Sequence, residues 1–350
     1  MVGADGAASP HEPSVTIVFL VYNRRDELRT SLHQMLVESD YDGPVDVIVV
    51  DNASTDGSAD MVREDFPQVQ LIVRDENVGV SGWNDGFAAA SGEWVLALDD
   101  DCYLPPDGLR RAIAAADEHQ ADLVSFKVVS TADPDHVFTE KYRTGLFMFW
   151  GCAVLVRRTP LQELEGYDPQ IFVWANELEF MLRFFDRGYR HLHLPEVVAQ
   201  HMKALPPEKA TWIEERGYRV NARHWGYIAA KLLRRRDAVE ALLALLATDV
   251  RDGLRVDPVA LKAVPDTFKG FVCGLRHRQP LRNPALSRFY RRNFETFASP
   301  WWLSRPIGHL LRDLPLEVSR RSQPQDVGRR DEYYAERARY YPEEPATLQF

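Results

Sequence analysis

The feature that most constrains this chain is a repeated hand-over from a short apolar run to a polar or acidic residue, with helical patterns between the runs. Thr16-Ile-Val-Phe-Leu-Val21 passes to Tyr22-Asn23, Val45-Asp-Val-Ile-Val-Val50 to Asp51, and Trp94-Val-Leu-Ala-Leu98 to Asp99-Asp100-Asp101. Residues 69–73 form a further short run. Between them, Leu28, Leu32, Met35 and Leu36 recur at helical spacing, and the small-residue stretch 79–90 reads as another helix. Apolar runs of strand length alternating with helices predict an α/β fold with a doubly wound, mainly parallel sheet, because parallel strands need crossovers and are buried on both faces. Ligands of such sheets bind outside the carboxyl ends of the strands. One edge should therefore collect Tyr22, Asn23, Asp51, Asn77, Asp99, Asp100 and Asp101.

The acidic triplet ends the fourth strand. Two carboxylates at i and i+2 can reach one divalent ion, and hard ions such as Mg²⁺ or Mn²⁺ take oxygen ligands together with substrate phosphates. A solvated acidic turn is the competing reading of the same run. Composition narrows the partners. A net charge of −10 opposes nucleic-acid binding, which needs a broadly basic footprint. Three cysteines, Cys102, Cys152 and Cys273, lack paired spacing, so reduced packing thiols in a cytoplasmic protein are expected. Residues 1–13 read as a disordered leader without the apolar core of a signal peptide. No apolar run approaches the roughly 20 residues that span a bilayer.

Past residue 109 a helix (109–119) and a strand (122–129) are predicted, then a strand broken at Gly151 (147–156), a helix over 177–187 ended by Gly188, and two short strands (191–194 and 197–201) divided by Pro195. Beyond Lys203 helical stretches (212–234, 238–246) lead into a region rich in Arg and aromatics. We therefore expect a catalytic domain over 14–204 and a helical carboxyl-terminal region over 205–350, with the boundary at 203–207.

Several motifs occur in order: Val21-Tyr-Asn-Arg24, Val50-Asp-Asn-Ala-Ser-Thr-Asp-Gly57, Asn77-Val-Gly79 with Asn84-Asp-Gly86, Leu98-Asp-Asp-Asp101, Gly151-Cys-Ala-Val-Leu-Val-Arg157, Asn176-Glu-Leu-Glu-Phe-Met-Leu-Arg183 and Pro195-Glu-Val-Val-Ala-Gln-His201. The ordered set, from about Val15 to Lys203, resembles glycosyltransferase family 2, whose fold is GT-A; the spacing looks most like bacterial rhamnosyl- and galactofuranosyltransferases of cell-surface glycans. The resemblance implies a metal-dependent, inverting transferase moving a sugar from a UDP- or dTDP-sugar to a hydroxyl of a cell-surface glycan or lipid-linked acceptor, or of a soluble glycoside. Carried onto this sequence, Tyr22, Asn23 and Asp51 would line base and ribose, Asp51 accepting the imide N–H of uracil or thymine. Asn77 and Gly79 would shape the loop near ribose and diphosphate, Asn84 being structural. Asp99 and Asp101 fall on the DxD as metal ligands, with Asp99 and Asp100 also toward the donor, and His201 completes the metal set for Mg²⁺ or Mn²⁺. Aligned back from Arg183, the resemblance sets Glu177 on the usual base position and Glu179 on the supporting acid, where the family usually carries Asp, and either glutamate could be the base; acids in a first helical turn also offset its dipole without any catalysis. Trp174, in Phe172-Val-Trp174, is placed at the acceptor.

Two other enzyme readings are weaker. A haloacid-dehalogenase-type phosphatase would use Asp99 as nucleophile, but three strands precede it and Cys102 follows. A dehydrogenase would need G-x-G-x-x-G after the first strand, which is absent. Between Phe268 and Arg321 eleven basic residues face three acidic ones, interleaved with Phe268, Phe271, Phe289, Tyr290, Phe294, Phe297, Trp301 and Trp302. That pattern fits either an anionic membrane surface, at the inner face of the cell membrane, or a helical subdomain packing its aromatics inward.

Overall fold

The computed structural model describes residues 12–132, 149–202, 211–255 and 258–298. The leader (1–11), the 203–207 boundary and the Trp301/Trp302 segment lie outside the described residues.

The strands are β1 (Val15–Val21), β2 (Val45–Asp51), β3 (Gln70–Val73), β4 (Trp94–Asp99), β5 (Cys102–Tyr103), β6 (Leu123–Ser130), β7 (Ala153–Arg157) and β8 (His191–His201). The helices are α1 (Arg25–Leu36), α2 (Ser58–Asp65), α3 (Trp83–Ala89), α4 (Gly108–Glu118), α5 (Arg158–Glu163), α6 (Asn176–Asp186), α7 (Thr211–Leu232), α8 (Arg235–Arg255), α9 (Val259–Arg276) and α10 (Pro284–Ala298). One eight-stranded sheet runs β3-β2-β1-β4-β7-β6-β8-β5. Pairings β1–β2, β1–β4, β2–β3 and β6–β8 are parallel, while β7 inserts antiparallel between β4 and β6. The sheet is thus mixed and mostly parallel, with helices on both faces, as the strand-helix alternation predicts.

β1 and β4 read as unbroken apolar runs because both faces are covered: Ile17, Phe19, Leu96 and Leu98 share one core with α1, whereas Val18, Val95 and Ala97 share another with α3 and α6. The two short strands expected around Pro195 are one strand. Its partner β6 steps from Phe126↔Leu194 to Lys127↔Val198, and this bulge accommodates Pro195, which has no N–H to give the ladder. The helix α2 follows the turn that ends at Gly57. Asp56 explains its start: one carboxylate oxygen accepts the Ser58 N–H (3.0 Å) and the other the Arg25 N–H (2.9 Å), so a single side chain caps two helices.

Helices α7 to α10 surround a further core that includes Ile171, Leu178 and Leu182 from α6 and the loop before it, with Trp225, Ile228, Phe271, Leu286 and Tyr290. Phe271 and Tyr290, expected either at a membrane or inside, are inside. Arg278 donates to the Leu233 carbonyl (2.9 Å), and Arg291 pairs with Glu240. Among the described residues no helix is long and apolar enough to cross a membrane.

Candidate active site

Sheet register assembles the site. The short strand β5 follows the acidic triplet immediately and pairs antiparallel with the end of β8, setting Cys102 opposite His201. The Met202 N–H donates to the Asp101 carbonyl (2.8 Å), and His201 Nε2 lies 3.0 Å from Asp101 Oδ1. Residues a hundred positions apart thereby meet. Asp99, Asp101 and His201 each offer a ligand atom, all within 4.8 Å of one another, and no other such trio occurs among the described residues. Two carboxylates and one imidazole are a donor set suited to Mn²⁺ or Mg²⁺.

Arg24, the last residue of the Val21-Tyr-Asn-Arg24 motif, faces the acidic triplet. Its guanidinium pairs with Asp101 and lies 3.8 Å from Asp100. The signal for it was the Arg following Tyr22-Asn23 at the first strand end, facing acids at the fourth. Asp100 is buried, and burial first, then Asp99 and Asp101, push its carboxyl well above the usual carboxylate range. It accepts the Tyr22 N–H (3.3 Å), so its geometry is that of a strut between the first and fourth strand ends.

On the nucleotide side, Asp51 is buried; Oδ1 accepts the Ser54 N–H (2.7 Å), and Oδ2 meets no hydrogen-bond partner. A buried carboxylate oxygen without a donor is costly unless a ligand supplies one. Tyr22 is exposed beside it. The Asn23 side chain, in contrast, accepts the Thr55 N–H (2.7 Å) and ties the two loops together. Asn77 Oδ1 accepts from Asn52 Nδ2 (2.9 Å) and the Gly79 N–H (2.8 Å), and the buried Asn52, which also donates to the Gly79 carbonyl (3.0 Å) and accepts the Val78 N–H (3.1 Å), is the centre of that loop, a role no sequence motif signals. Gly79 does permit a close approach, but to protein: a Cβ there would sit 1.9 Å from the Phe172 carbonyl oxygen. Asn84 bonds both the N–H and the carbonyl of Tyr167, a structural tie as expected.

The two candidate bases have opposite surroundings. The Asp99 N–H donates to the Cys152 carbonyl (2.9 Å), and the preceding residue, Gly151, gives its N–H to the Glu177 carboxylate. A Cβ at position 151 would fall 2.4 Å from Glu177 Oε1, so the approach requires glycine. Burial, with a contribution from Asp99, pushes Glu177 up to about 7. Glu179 is fully buried: Arg183 holds both its oxygens (2.8 and 2.6 Å), and Lys231 of α7 donates to Oε1 (2.7 Å). Lys231 also pairs with Asp168, which accepts from Tyr227 Oη (2.7 Å). The loop between Asp168 and α6 carries exposed Phe172 and Trp174. Trp174 and Ala175 both have positive φ (60° and 61°), and the buried His224 of α7 hydrogen-bonds the backbone at Val173 and Trp174.

Residues 16–187 match the family described as Glycosyl transferase family 2.

Residues 16–187 belong to glycosyl transferase family 2.

Among curated relatives, the succinoglycan biosynthesis protein ExoO of Rhizobium meliloti is 37% identical over 113 residues, 32% of each chain. The undecaprenyl-phosphate 4-deoxy-4-formamido-L-arabinose transferase of Edwardsiella ictaluri is 32% identical over 181 residues, 50% of this chain and 53% of that one. The chain thus spans about a third to a half of the length of these two relatives. Of solved structures, S. aureus TarS 1-349 superposes with a TM-score of 0.53 at 18% identity, covering 81% of this chain and 88% of that one. The mannosyltransferase PcManGT from Pyrobaculum calidifontis, in complex with GDP-Man and Mn²⁺, gives 0.50 at 21%, covering 87% and 89%. At those identities the likeness shows the fold alone, which is GT-A.

Proposed function

We propose that this family 2 chain is a metal-dependent inverting glycosyltransferase that moves a sugar from a UDP- or dTDP-sugar to a hydroxyl of a cell-surface glycan or lipid-linked acceptor. The observation that carries the reading is the short path Asp99–Cys152–Gly151–Glu177, which sets a carboxylate raised to about 7 beside the Asp99/Asp101/His201 trio. A base poised near neutrality suits removal of a hydroxyl proton. Glu177 accepts that proton while the acceptor oxygen bonds to the anomeric carbon and the bond from that carbon to the diphosphate breaks on the opposite face, in a transition state of oxocarbenium character. Asp99, Asp101 and His201 would hold Mg²⁺ or Mn²⁺, which when bound supplies charge neutralisation for the leaving diphosphate. Asp51 Oδ2 accepts the imide N–H of the base and Tyr22 covers it. Trp174 and Phe172 offer apolar faces to the acceptor, on a loop fixed from behind by α7. Glu179 positions α6 and through it Glu177. Printed names of relatives, a succinoglycan biosynthesis protein and an undecaprenyl-phosphate sugar transferase, support a polymeric or lipid-linked acceptor.

A thermal-shift panel of UDP-, dTDP-, GDP- and ADP-sugars, with and without Mn²⁺, tests the donor. Ligand at a hundred times its Kd stabilises by about 2.7 kcal/mol. UDP or dTDP compounds should raise Tm only with Mn²⁺ present, and the Mn²⁺ dependence should vanish in Asp101→Asn. Stabilisation by guanine or adenine compounds alone would overturn the donor assignment.

A further inference from the structure

The search for surfaces outside the active site converges on α8 and α9. α8 turns Val239, Leu243, Ala247, Val250 and Leu254 to solvent at intervals of three and four residues, with Leu243 61% and Leu254 74% exposed. α9 does the same with Leu261, Pro265, Phe268, Val272 and Leu275, and Phe268 is 53% exposed. The stripes adjoin at the turn between the helices, where Leu261 packs on Gly253. Most of the large exposed apolar side chains among the described residues lie on these two helices. The opposite face of α9 is sealed: Gly270 and Gly274 pack on the α7 backbone at Arg223 and Tyr227. Among the described residues nothing covers the outward stripe, and an apolar patch of this kind marks an interaction surface.

Charge selects the occupant. Lys262, Lys269 and Arg276 recur every seven residues, so they form one row along an edge of the α9 stripe, all three exposed. Lys262 also holds Glu215 of α7 (3.0 Å). A second copy packed antiparallel on the same stripe would set Lys262 against Arg276 and Lys269 against itself, which like charges oppose. In a chain of net charge −10, a local basic row beside an apolar stripe is complementary to an anionic lipid surface. We infer that the α8–α9 hairpin seats this protein on an anionic bilayer, with α9's stripe in the headgroup layer and its basic row on the phosphates. The surface takes Phe268, Lys269 and Arg276 from the basic and aromatic stretch expected from sequence, whose Phe271 and Tyr290 are core, and adds the α8 stripe to them.

Flotation of the full chain tests this with vesicles of phosphatidylcholine, with and without phosphatidylglycerol, and without nucleotide, so that failure of the transferase reading leaves the result untouched. The protein should float with the anionic vesicles at low salt and be released by high salt. Lys269→Gln with Arg276→Gln should weaken the apparent affinity on the order of 30-fold, taking each basic residue near the surface at its usual worth. Phe268→Asp with Leu275→Asp should abolish flotation, and all four positions are exposed, so melting curves should match wild type. Absence of flotation at low salt, flotation that neither pair weakens, or a dimer in light scattering that the Phe268/Leu275 pair dissociates would overturn the inference.

Discussion

Two groups of acids in this molecule, one at the sheet edge and one behind α6, are held in opposite ways. At the sheet edge, Asp99, Asp100 and Asp101 follow one another, and the groups that face them are the Arg24 guanidinium and, across the β5–β8 pairing, the His201 imidazole. Crowding shows in Asp100 and Glu177, whose carboxyls are held above their ordinary range by burial and by neighbouring carboxylates. Behind α6 the acids are matched: Glu179 has Arg183 and Lys231, and Asp168 has Lys231 and Tyr227. Burial alone would raise Asp168, but Lys231 and the hydrogen bonds outweigh it and hold the carboxyl below the usual range. Glu177 and Glu179 stand two residues apart on one helical turn and fall on opposite sides of this divide. An excess of carboxylate over cation is what a site for a metal and a proton requires; a closed account is what a structural joint requires.

The largest expected effect separates those two glutamates. Glu177→Gln should keep donor binding in the thermal-shift assay and lose about 10²- to 10⁴-fold in transfer rate. Glu179→Gln should instead lower Tm, since it leaves Lys231 and Arg183 with a neutral partner, and give a smaller loss of rate per folded molecule. In wild type the rate should rise with pH as Glu177 ionises, through an apparent pKa near 7 or lower once a cation offsets the field of Asp99. If Glu179→Gln is the variant that binds donor, melts normally and fails to transfer, the assignment of the two roles is reversed.

Next in size is the joint. Lys231→Met removes the cation shared by Asp168 and Glu179 and should cost about 3–5 kcal/mol, because two buried carboxylates lose their counter-charge. The sign follows from Asp168: a carboxyl lowered in the folded state contributes stability above its unfolded pKa and loses it as pH falls through the lowered value. The gap in denaturation free energy between wild type and Lys231→Met should therefore be widest near neutrality and narrow in acid. A gap that is independent of pH would remove the ionic character claimed for this joint.

Much of the sheet edge was legible in the chain because strands buried on both faces declare themselves as apolar runs, and the residue that ends each run is at the ligand edge by topology alone. Asp51, Asp99 and Asp101 could be placed in that way. His201 could not be brought to Asp101 by local pattern, since their meeting depends on β5, a two-residue strand with no periodicity, and on a β8 that runs through a proline. The resemblance separates Glu177 from Glu179, but the physical difference between them is not in the local pattern: it rests on Gly151 and Lys231, contributed by a strand entrance and by a helix some fifty residues further on. Asn23 and Gly79 show the converse, as residues of the right type in the right loop whose contacts are with Thr55 and Phe172.

The smallest expected effect tests whether the helical region follows the matched pattern throughout. Asp249 of α8 is buried among Thr267 Oγ1 (2.7 Å), Tyr218 Oη (3.0 Å), Asp252 and Asp266, with hydroxyl donors but, among the described residues, no cation in direct contact. Burial is the first cause, with the two aspartates adding to it, and the carboxyl is raised to about 6. A carboxyl raised in the folded state favours folding while protonated; that stability is complete below its unfolded pKa and is lost as pH climbs through the folded value. Wild type should thus lose roughly 2–3 kcal/mol at this position between acid and mildly basic solution. Asp249→Asn keeps an acceptor and a donor for the two rotatable hydroxyls and cannot ionise, so it should match wild type near pH 4 and exceed it near pH 8. With about 2–4 °C of Tm per kcal/mol for a chain of this class, the difference is measurable by calorimetry. Equal melting of the two proteins across that range would mean that Asp249 ionises without penalty, and that a buried acid in this bundle needs no cation.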